Sequence, residues 1–430
     1  MARFLVIGAT GLIGSRIAAD LAGAGHRVVG AAREIGRAAR RIPAIDWVRL
    51  DLATSRTEDW ARLLPGIDAV VNCAGALQNG PADRLEETHH QGPRSLFAAC
   101  RAAGVRRIVH VSAIGVDRAT PTEFSRTKLA GDEALMASGL DWVILRPSVV
   151  LGDAAYGASA LIRGLAALPV VPVMPGTAPL QPVTLDDVAA TAIRFLDPGA
   201  PSHVVLELAG PETMSFTELV RRYRSWLGLA PAIELRLPAW LARALYRLGD
   251  FAARLGWRPA VRTTAQREIA RGAVGDPSEW RRLSGIAPKP PTEVLARRPA
   301  SVQEIWFARL YLLKPLVIAS LALFWIGSGI ASLGPGYERG RALLAPGLSD
   351  AVIPVVIVAG GIADLLIGIG IALRRTARPA LVAGIVVSLL YAAAGTLFTP
   401  SLWLDPLAPL LKIAPVVALL LVALATLEDR

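Results

Sequence analysis

The stretch RFLVIGATGLIGSRIAADLAGAGHRVVGAAR, residues 3–33, decides how the first part of this chain folds. Arg3–Ile7 is dominated by large aliphatic residues and reads as a short strand. Glycines follow at positions 8, 11 and 14. Ser15–Gly23 carries apolar residues on one helical face, and Arg27–Ala32 reads as a second strand. A strand, a glycine turn, a helix and a strand within about thirty residues form a βαβ unit. The three glycines serve a tight turn, a close backbone approach and tight helix–strand packing, and the helix start offers free N–H groups to an anion. Gly8, Ala9, Thr10, Gly11, Leu12, Ile13 and Gly14 are therefore expected to line a diphosphate.

The same alternation continues downstream. VRLDLA brings Asp51 and Leu52 to the end of a third strand, with Asp51 expected against an adenine. AVVNCAG (Ala69–Gly75) ends in the small residues Ala74 and Gly75, RIVHVSAIG (Arg107–Gly115) reaches Ser112, and DWVILRPSVVLG (Asp141–Gly152) reaches Pro147 and Ser148. Strands and helices at this spacing predict a doubly wound parallel sheet, an α/β fold that binds ligand beyond the C-terminal strand ends. Residues 1–150 form the expected dinucleotide part and 151–300 the substrate part. An acid at the end of the second strand would select NAD(H). Arg33 stands there instead, with Arg37 a turn later, and favours NADP(H) through a 2′-phosphate, while Glu34 beside it works the other way.

The rest of the chain is of another kind. Hydrophobic residues make up 53% of the 430, and a mean hydropathy of +0.45 exceeds that of an ordinary soluble protein. The excess is concentrated in four apolar stretches, Pro315–Leu333, Ala351–Leu373, Pro379–Phe398 and Pro406–Thr426, each near the ~20 residues needed to cross a bilayer core. Residues 301–430 are thus expected to form an all-α domain of four transmembrane helices. The RRTARP loop carries Arg374, Arg375 and Arg378 without an acid, so the positive-inside rule places it, both termini and the α/β half in the cytoplasm of a multi-pass inner-membrane protein. The formal net charge is +11. Thirteen Lys/Arg against six Asp/Glu lie between Glu234 and Arg298, just before the first span, which reads as a lipid and topology signal rather than a nucleic-acid site. Within that segment, Leu237–Trp257 has apolar residues at helical spacing flanked by arginines. It suits either a bilayer interface or a helix covering the α/β core. Asp364 and Lys412 are ionisable residues inside the spans and so candidates for a membrane-domain site; Lys412 can also snorkel outward. Cys73 and Cys100 offer no metal-ligand spacing, and no metal is expected.

Together, GATGLIG, LDL, NCAG, Ser112, Lys128, LRPS and QPVTLDDVA (Gln181–Ala189) resemble an extended or atypical short-chain dehydrogenase/reductase over residues 1–300. The last motif and GPETMSFTELV are most similar to the branch containing the Rossmann-fold accessory subunit of respiratory complex I. Residues 311–430 resemble a DoxX-like four-helix membrane domain. The reductase resemblance implies a serine that polarises a carbonyl, a tyrosine that moves the proton, and a lysine four residues later that binds the nicotinamide ribose. Ser112 and Lys128 match that pattern. The tyrosine position holds Phe124, which has no ionisable proton; its loss removes general acid–base help worth about 10²–10⁴ in rate. Tyr156 is a substitute candidate. His89, His90 and His110 have no recognisable orienting carboxylate and are expected in surface or helix roles. The expected activity is hydride chemistry on a lipophilic carbonyl or quinone. The alternative is a nucleotide-binding scaffold, assembly factor or sensor of a membrane complex.

Overall fold

A computed structural model describes residues 1–80 and 83–428. The chain divides into two compact units: Met1–Asp250 with Pro259–Trp306, and Phe251–Arg258 with Phe307–Arg430.

In the first unit β1 (Arg3–Ile7), β2 (Arg27–Ala32), β3 (Asp46–Arg49), β4 (Ala69–Asn72), β5 (Arg107–Val111) and β6 (Asp141–Pro147) join a seventh strand, Val204–Leu208, in one sheet. The spatial order is seventh–β6–β5–β4–β1–β2–β3, and every pairing is parallel. Strand order reverses between β1 and β4, which makes the crevice above them the topological switch point. Alternate side chains explain the layers. Phe4, Val6, Val71, Val109 and Val143 pack with Ile17 and Leu21 on one face. Leu5, Ile7, Val70, Ile108 and Ile144 pack with Leu96, Phe97 and Leu135 on the other. Burying both faces is what allows nearly continuous apolar strands.

The second unit is helical. Its long helices are Val302–Leu333, which begins in the first unit, Ile353–Ala372 and Ala377–Phe398; these three are long and apolar enough to cross a membrane. The fourth expected span is helical only over Ile413–Thr426, 14 residues. At 1.5 Å per residue that is about 21 Å, short of a ~30 Å hydrocarbon core. Pro406 and Pro409 lie in the non-helical segment ahead of it, where Ala408 adopts φ 47°; a proline lacks the N–H that would extend the helix backward.

Candidate coenzyme and active site

The glycine turn follows β1 directly. Gly8 and Ala9 both donate to the Ala31 carbonyl of β2, at 2.9 and 3.3 Å, and Gly11 donates to Gly8 O at 2.9 Å. Gly8 sits at φ +74°, and a Cβ there would meet the backbone of Cys73 and Ala74 at 2.9 Å. Gly14 backs onto the turn so closely that its Cβ would lie 2.4 Å from Gly8 O. The following helix α1 (Leu12–Gly23) has Gly11 as its N-cap, no side-chain cap and no acid in its first turn. Its first N–H groups have no intrahelical partner, and the helix dipole adds positive potential there. Helix start and turn together present a surface suited to an anion.

The structure places the other expected contacts around the same sheet edge. The Asp51 carboxylate accepts from its own turn, Ala53 N at 3.1 Å, and Leu52 is buried beside the close approach of Gly92. Ala74 N donates to Asn72 Oδ1 at 3.1 Å. Arg33 pairs with Asp83 at 2.8 Å. Pro147 O accepts from Ile114 N, and Ser148 Oγ donates to Ala273 O at 2.7 Å, so these two tie strand β6 to its neighbours. The Tyr156 hydroxyl donates to Thr10 O at 3.4 Å. Its ring therefore belongs to the glycine turn.

Ser112 follows β5, and the helix Glu123–Met136 carries Phe124 and Lys128. Thr122 caps that helix by accepting from Ser125 N, and Glu268 accepts from Thr122 and Ser125 hydroxyls. Lys128 is buried, donates from Nζ to Val111 O at 2.9 Å, and lies 3.3 Å from where a Cβ on Gly75 would stand. Burial holds its ammonium down at about 8, against the pull of Asp132 one turn later. Ser112 is 5% exposed, and its hydroxyl faces the Asp132 carboxylate, helping to offset the upward push of burial on that acid. The Phe124 ring is half-buried and stands edge-on to His89, with centroids 5.6 Å apart.

Two histidines expected in surface or helix roles are buried in this neighbourhood. His89 occupies a π-helical turn, Glu87–Gln91. Its Nε2 accepts from Ala76 N at 3.1 Å, so its proton is assigned to Nδ1, which donates to Thr127 Oγ1 at 2.9 Å. Burial and the nearby Lys128 charge push it down to about 2. His110 accepts from Asn72 Nδ2 at 3.1 Å, stays neutral because burial lowers it to about 3, and stands 3.7 Å from Asp132. Asp132 is paired with Arg146 at 3.0 Å, and Arg146 reaches on to Asp117. Both histidines are neutral dipoles, and Asp132 is the carboxylate near His110 that linear spacing did not reveal. Position 110 lies two residues before Ser112, on the same side of the strand; that offset is the available sequence signal. His90 pairs with Glu86 on the half-buried side of its turn.

In the second unit Asp364 is 3% exposed. It accepts hydrogen bonds from Ser328 at 2.6 Å and Tyr391 at 2.9 Å. Lys412 is exposed and caps the last helix, so the Asp364 oxygens are engaged by hydroxyls of the neighbouring helices. No metal-binding cluster occurs among the described residues.

A parallel sheet with its switch point at a glycine cradle defines a Rossmann-type dinucleotide-binding domain. Residues 8–197 match the NAD(P)H-binding family, and residues 322–421 match the DoxX-like family. The chain thus joins an NAD(P)H-binding Rossmann domain to a C-terminal DoxX-like domain, an α/β fold followed by a helical membrane-type region. Among curated relatives, a ceramide reductase of Caulobacter vibrioides is 27% identical over 234 residues, covering 54% of this chain and 73% of that protein. The mitochondrial NADH dehydrogenase [ubiquinone] 1 alpha subcomplex subunit 9 of Arabidopsis thaliana is 26% identical, covering 57% of this chain and 63% of the relative. Among solved structures, an NADPH-dependent quinone oxidoreductase of Escherichia coli complexed with NADPH superposes with a TM-score of 0.53 at 21% identity, covering 68% of this chain and 99% of that one. That likeness is one of fold.

Proposed function

We propose that the protein is a membrane-anchored, NADP(H)-binding reductase acting on a lipophilic carbonyl or quinone, with the nucleotide domain and both termini on the cytoplasmic side of the inner membrane. The observation that supports the reading is Lys128, buried with its Nζ on the carbonyl of Val111, the residue before Ser112, while the residue one turn ahead of it is Phe124. The residues fit a dinucleotide: Gly8 and Gly14 let turn, helix and the exit of β4 pack closer than a Cβ would allow, the helix start has neither a side-chain cap nor an acid to oppose a diphosphate, and Ser112 sets a buried hydroxyl beside Asp132. Bound there, a nicotinamide coenzyme supplies or accepts hydride.

In this reading Gly8–Gly14 hold the diphosphate, Asp51 and Leu52 border the adenine, and Arg33 exchanges Asp83 for a 2′-phosphate. Lys128 holds the nicotinamide ribose through its remaining N–H bonds, and Ser112 Oγ donates to a substrate carbonyl oxygen. Ala74, Gly75, Pro147 and Ser148 shape the walls around them. Phe124 excludes water but moves no proton, so an acceptor that needs little acid help, such as a quinone, suits the site best. The name of the Caulobacter relative supports a lipid-derived substrate. A second reading, a nucleotide-binding scaffold or sensor of a membrane complex, is favoured by Phe124 itself and by the complex I relative.

The detergent-purified protein should bind NADPH in calorimetry and oxidise it with a lipophilic quinone or carbonyl. Phe124→Tyr should raise carbonyl reduction by about 10²–10⁴. Tight binding without turnover in either form, over a panel of lipophilic acceptors, would leave the scaffold reading standing and remove the enzyme.

A further inference from the structure

The helix Ala239–Arg254 is built inside out for a protein surrounded by water. Its inward residues are Ala242, Tyr246, Gly249 and Ala253, all buried. At about 100° per residue they fall within an arc of about 60°. Gly249 is required there, since a Cβ would meet Val261 O at 1.7 Å. The large apolar residues point the other way: Trp240 is 65%, Leu248 62%, Phe251 55% and Leu245 38% exposed, the first three within an arc of about 80° that Leu245 widens to about 140°. Arg243, Arg247 and Arg254 are exposed and cluster within about 40° on one flank of that arc. The helix's one acid, Asp250, is paired with Arg262 at 3.0 Å.

The end of this helix runs into the second unit. Leu255 O accepts from Arg374 N at 3.0 Å, Trp257 Nε1 donates to Ala372 O at 2.8 Å, and the Arg374 guanidinium lies 5.5 Å from the Trp257 ring centroid. Ala372 is the last residue of a helix long enough to cross a membrane, and Arg374, Arg375 and Arg378 follow it. The residues that follow the helix Ala239–Arg254 therefore meet the end of a helix long and apolar enough to cross a membrane, beside a cluster of arginines.

We infer that the helix Ala239–Arg254 docks in the plane of the cytoplasmic leaflet, with Trp240, Leu248 and Phe251 in the acyl boundary and Arg243, Arg247 and Arg254 on anionic lipid headgroups. Small residues and a single tyrosine inside, with large apolar residues outside, are the arrangement expected when the outer solvent is lipid. One arginine flank beside the apolar arc is the pattern of an interfacial helix. Anionic lipid is the occupant that matches three cations with no exposed acid among them. The inference rests on the bilayer placement of the second unit, so its test carries a control for that placement.

Nitroxides are placed singly by Leu248→Cys, Phe251→Cys, Asp197→Cys and Leu366→Cys in the full chain, reconstituted in phosphatidylcholine with and without phosphatidylglycerol. Cys100 is buried and Cys73 half-buried, and burial pushes both thiols up to about 12; the unsubstituted protein measures the background label. Oxygen and a water-soluble nickel chelate compete as relaxants. Position 366, 65% exposed on a spanning helix, should favour oxygen if the second unit spans the bilayer. Positions 248 and 251 should then favour oxygen several-fold more than 197 does, and more strongly with phosphatidylglycerol. The combined Arg243→Gln, Arg247→Gln and Arg254→Gln should abolish that lipid dependence. Nickel accessibility at 248 and 251 equal to that at 197, while 366 favours oxygen, overturns the docking alone. Shielding of 248 and 251 from both relaxants would point to a protein partner and also overturns it. Nickel access at 366 overturns the membrane placement itself.

Discussion

Gly14→Ala puts the coenzyme cradle to its most direct test. The new methyl would begin 2.4 Å from Gly8 O, 3.0 Å from Gly8 C and 3.2 Å from Ala9 Cα. An ordinary carbon–oxygen contact is about 3.2–3.5 Å, so helix and turn must separate by close to 1 Å. A hydrogen bond near 2.9 Å moved by that amount falls outside bonding distance. Loss of two charge-assisted bonds to a diphosphate, at about 1.5–3 kcal/mol each, gives about 3–6 kcal/mol, or at least a hundredfold in Kd. The structural cost should be smaller, about 1–3 kcal/mol, because the strain of overpacking is local to the turn. Calorimetric titration of the detergent-solubilised variant with NADPH and NADH, alongside its melting temperature, separates the two effects. A variant that melts like the parent and keeps its affinity within threefold would show that no diphosphate sits on this turn.

Other outcomes follow from the same geometry. Arg33→Ala should weaken NADPH more than NADH, by about tenfold or more if one charge-assisted phosphate contact is lost; equal effects on both coenzymes would remove Arg33 from the choice between them. Lys128 has a folded value of about 8 against 10.5 unfolded, so between those values the unfolded chain binds the extra proton and the burden on folding lifts as pH rises. The melting temperature of Lys128→Met relative to the parent should therefore exceed it most below pH 8, by the equivalent of up to about 3 kcal/mol, and the gap should close toward pH 10.5. A pH-independent gap would mean the ammonium is better compensated than its surroundings indicate. Asp364→Asn leaves Ser328 or Tyr391 without a carboxylate acceptor and should cost about 1–2 kcal/mol in detergent melting. NADPH affinity should stay within twofold, and its loss would count against two separate units.

Local pattern carried much of this protein. The glycine spacing after Arg3–Ile7 was sufficient for the βαβ unit, because a tight turn, a helix start and a buried strand each leave a mark within a few residues. The apolar runs likewise announced the helical half, although Pro406 and Pro409 shortened the last helix to Ile413–Thr426. The offset between Phe124 and Lys128 was also legible, since one turn of the helix Glu123–Met136 puts both on one face.

What linear order could not carry was partnership. Arg33 meets Asp83, Tyr156 meets Thr10, His110 stands near Asp132 and Asp364 accepts from Ser328 and Tyr391. Each pair joins residues on different elements that only the packing of helices and strands brings within reach. The burial of His89 and His110 belongs to the same class: a histidine on a helix or strand looks alike in sequence whether its face meets solvent or a neighbouring layer. The orientation of the helix Ala239–Arg254 shows the contrast most plainly. Periodicity established an amphipathic helix, but only the fold shows that Ala242, Tyr246, Gly249 and Ala253 face inward and Trp240, Leu248 and Phe251 face out, because which side is covered depends on what the rest of the chain packs against it.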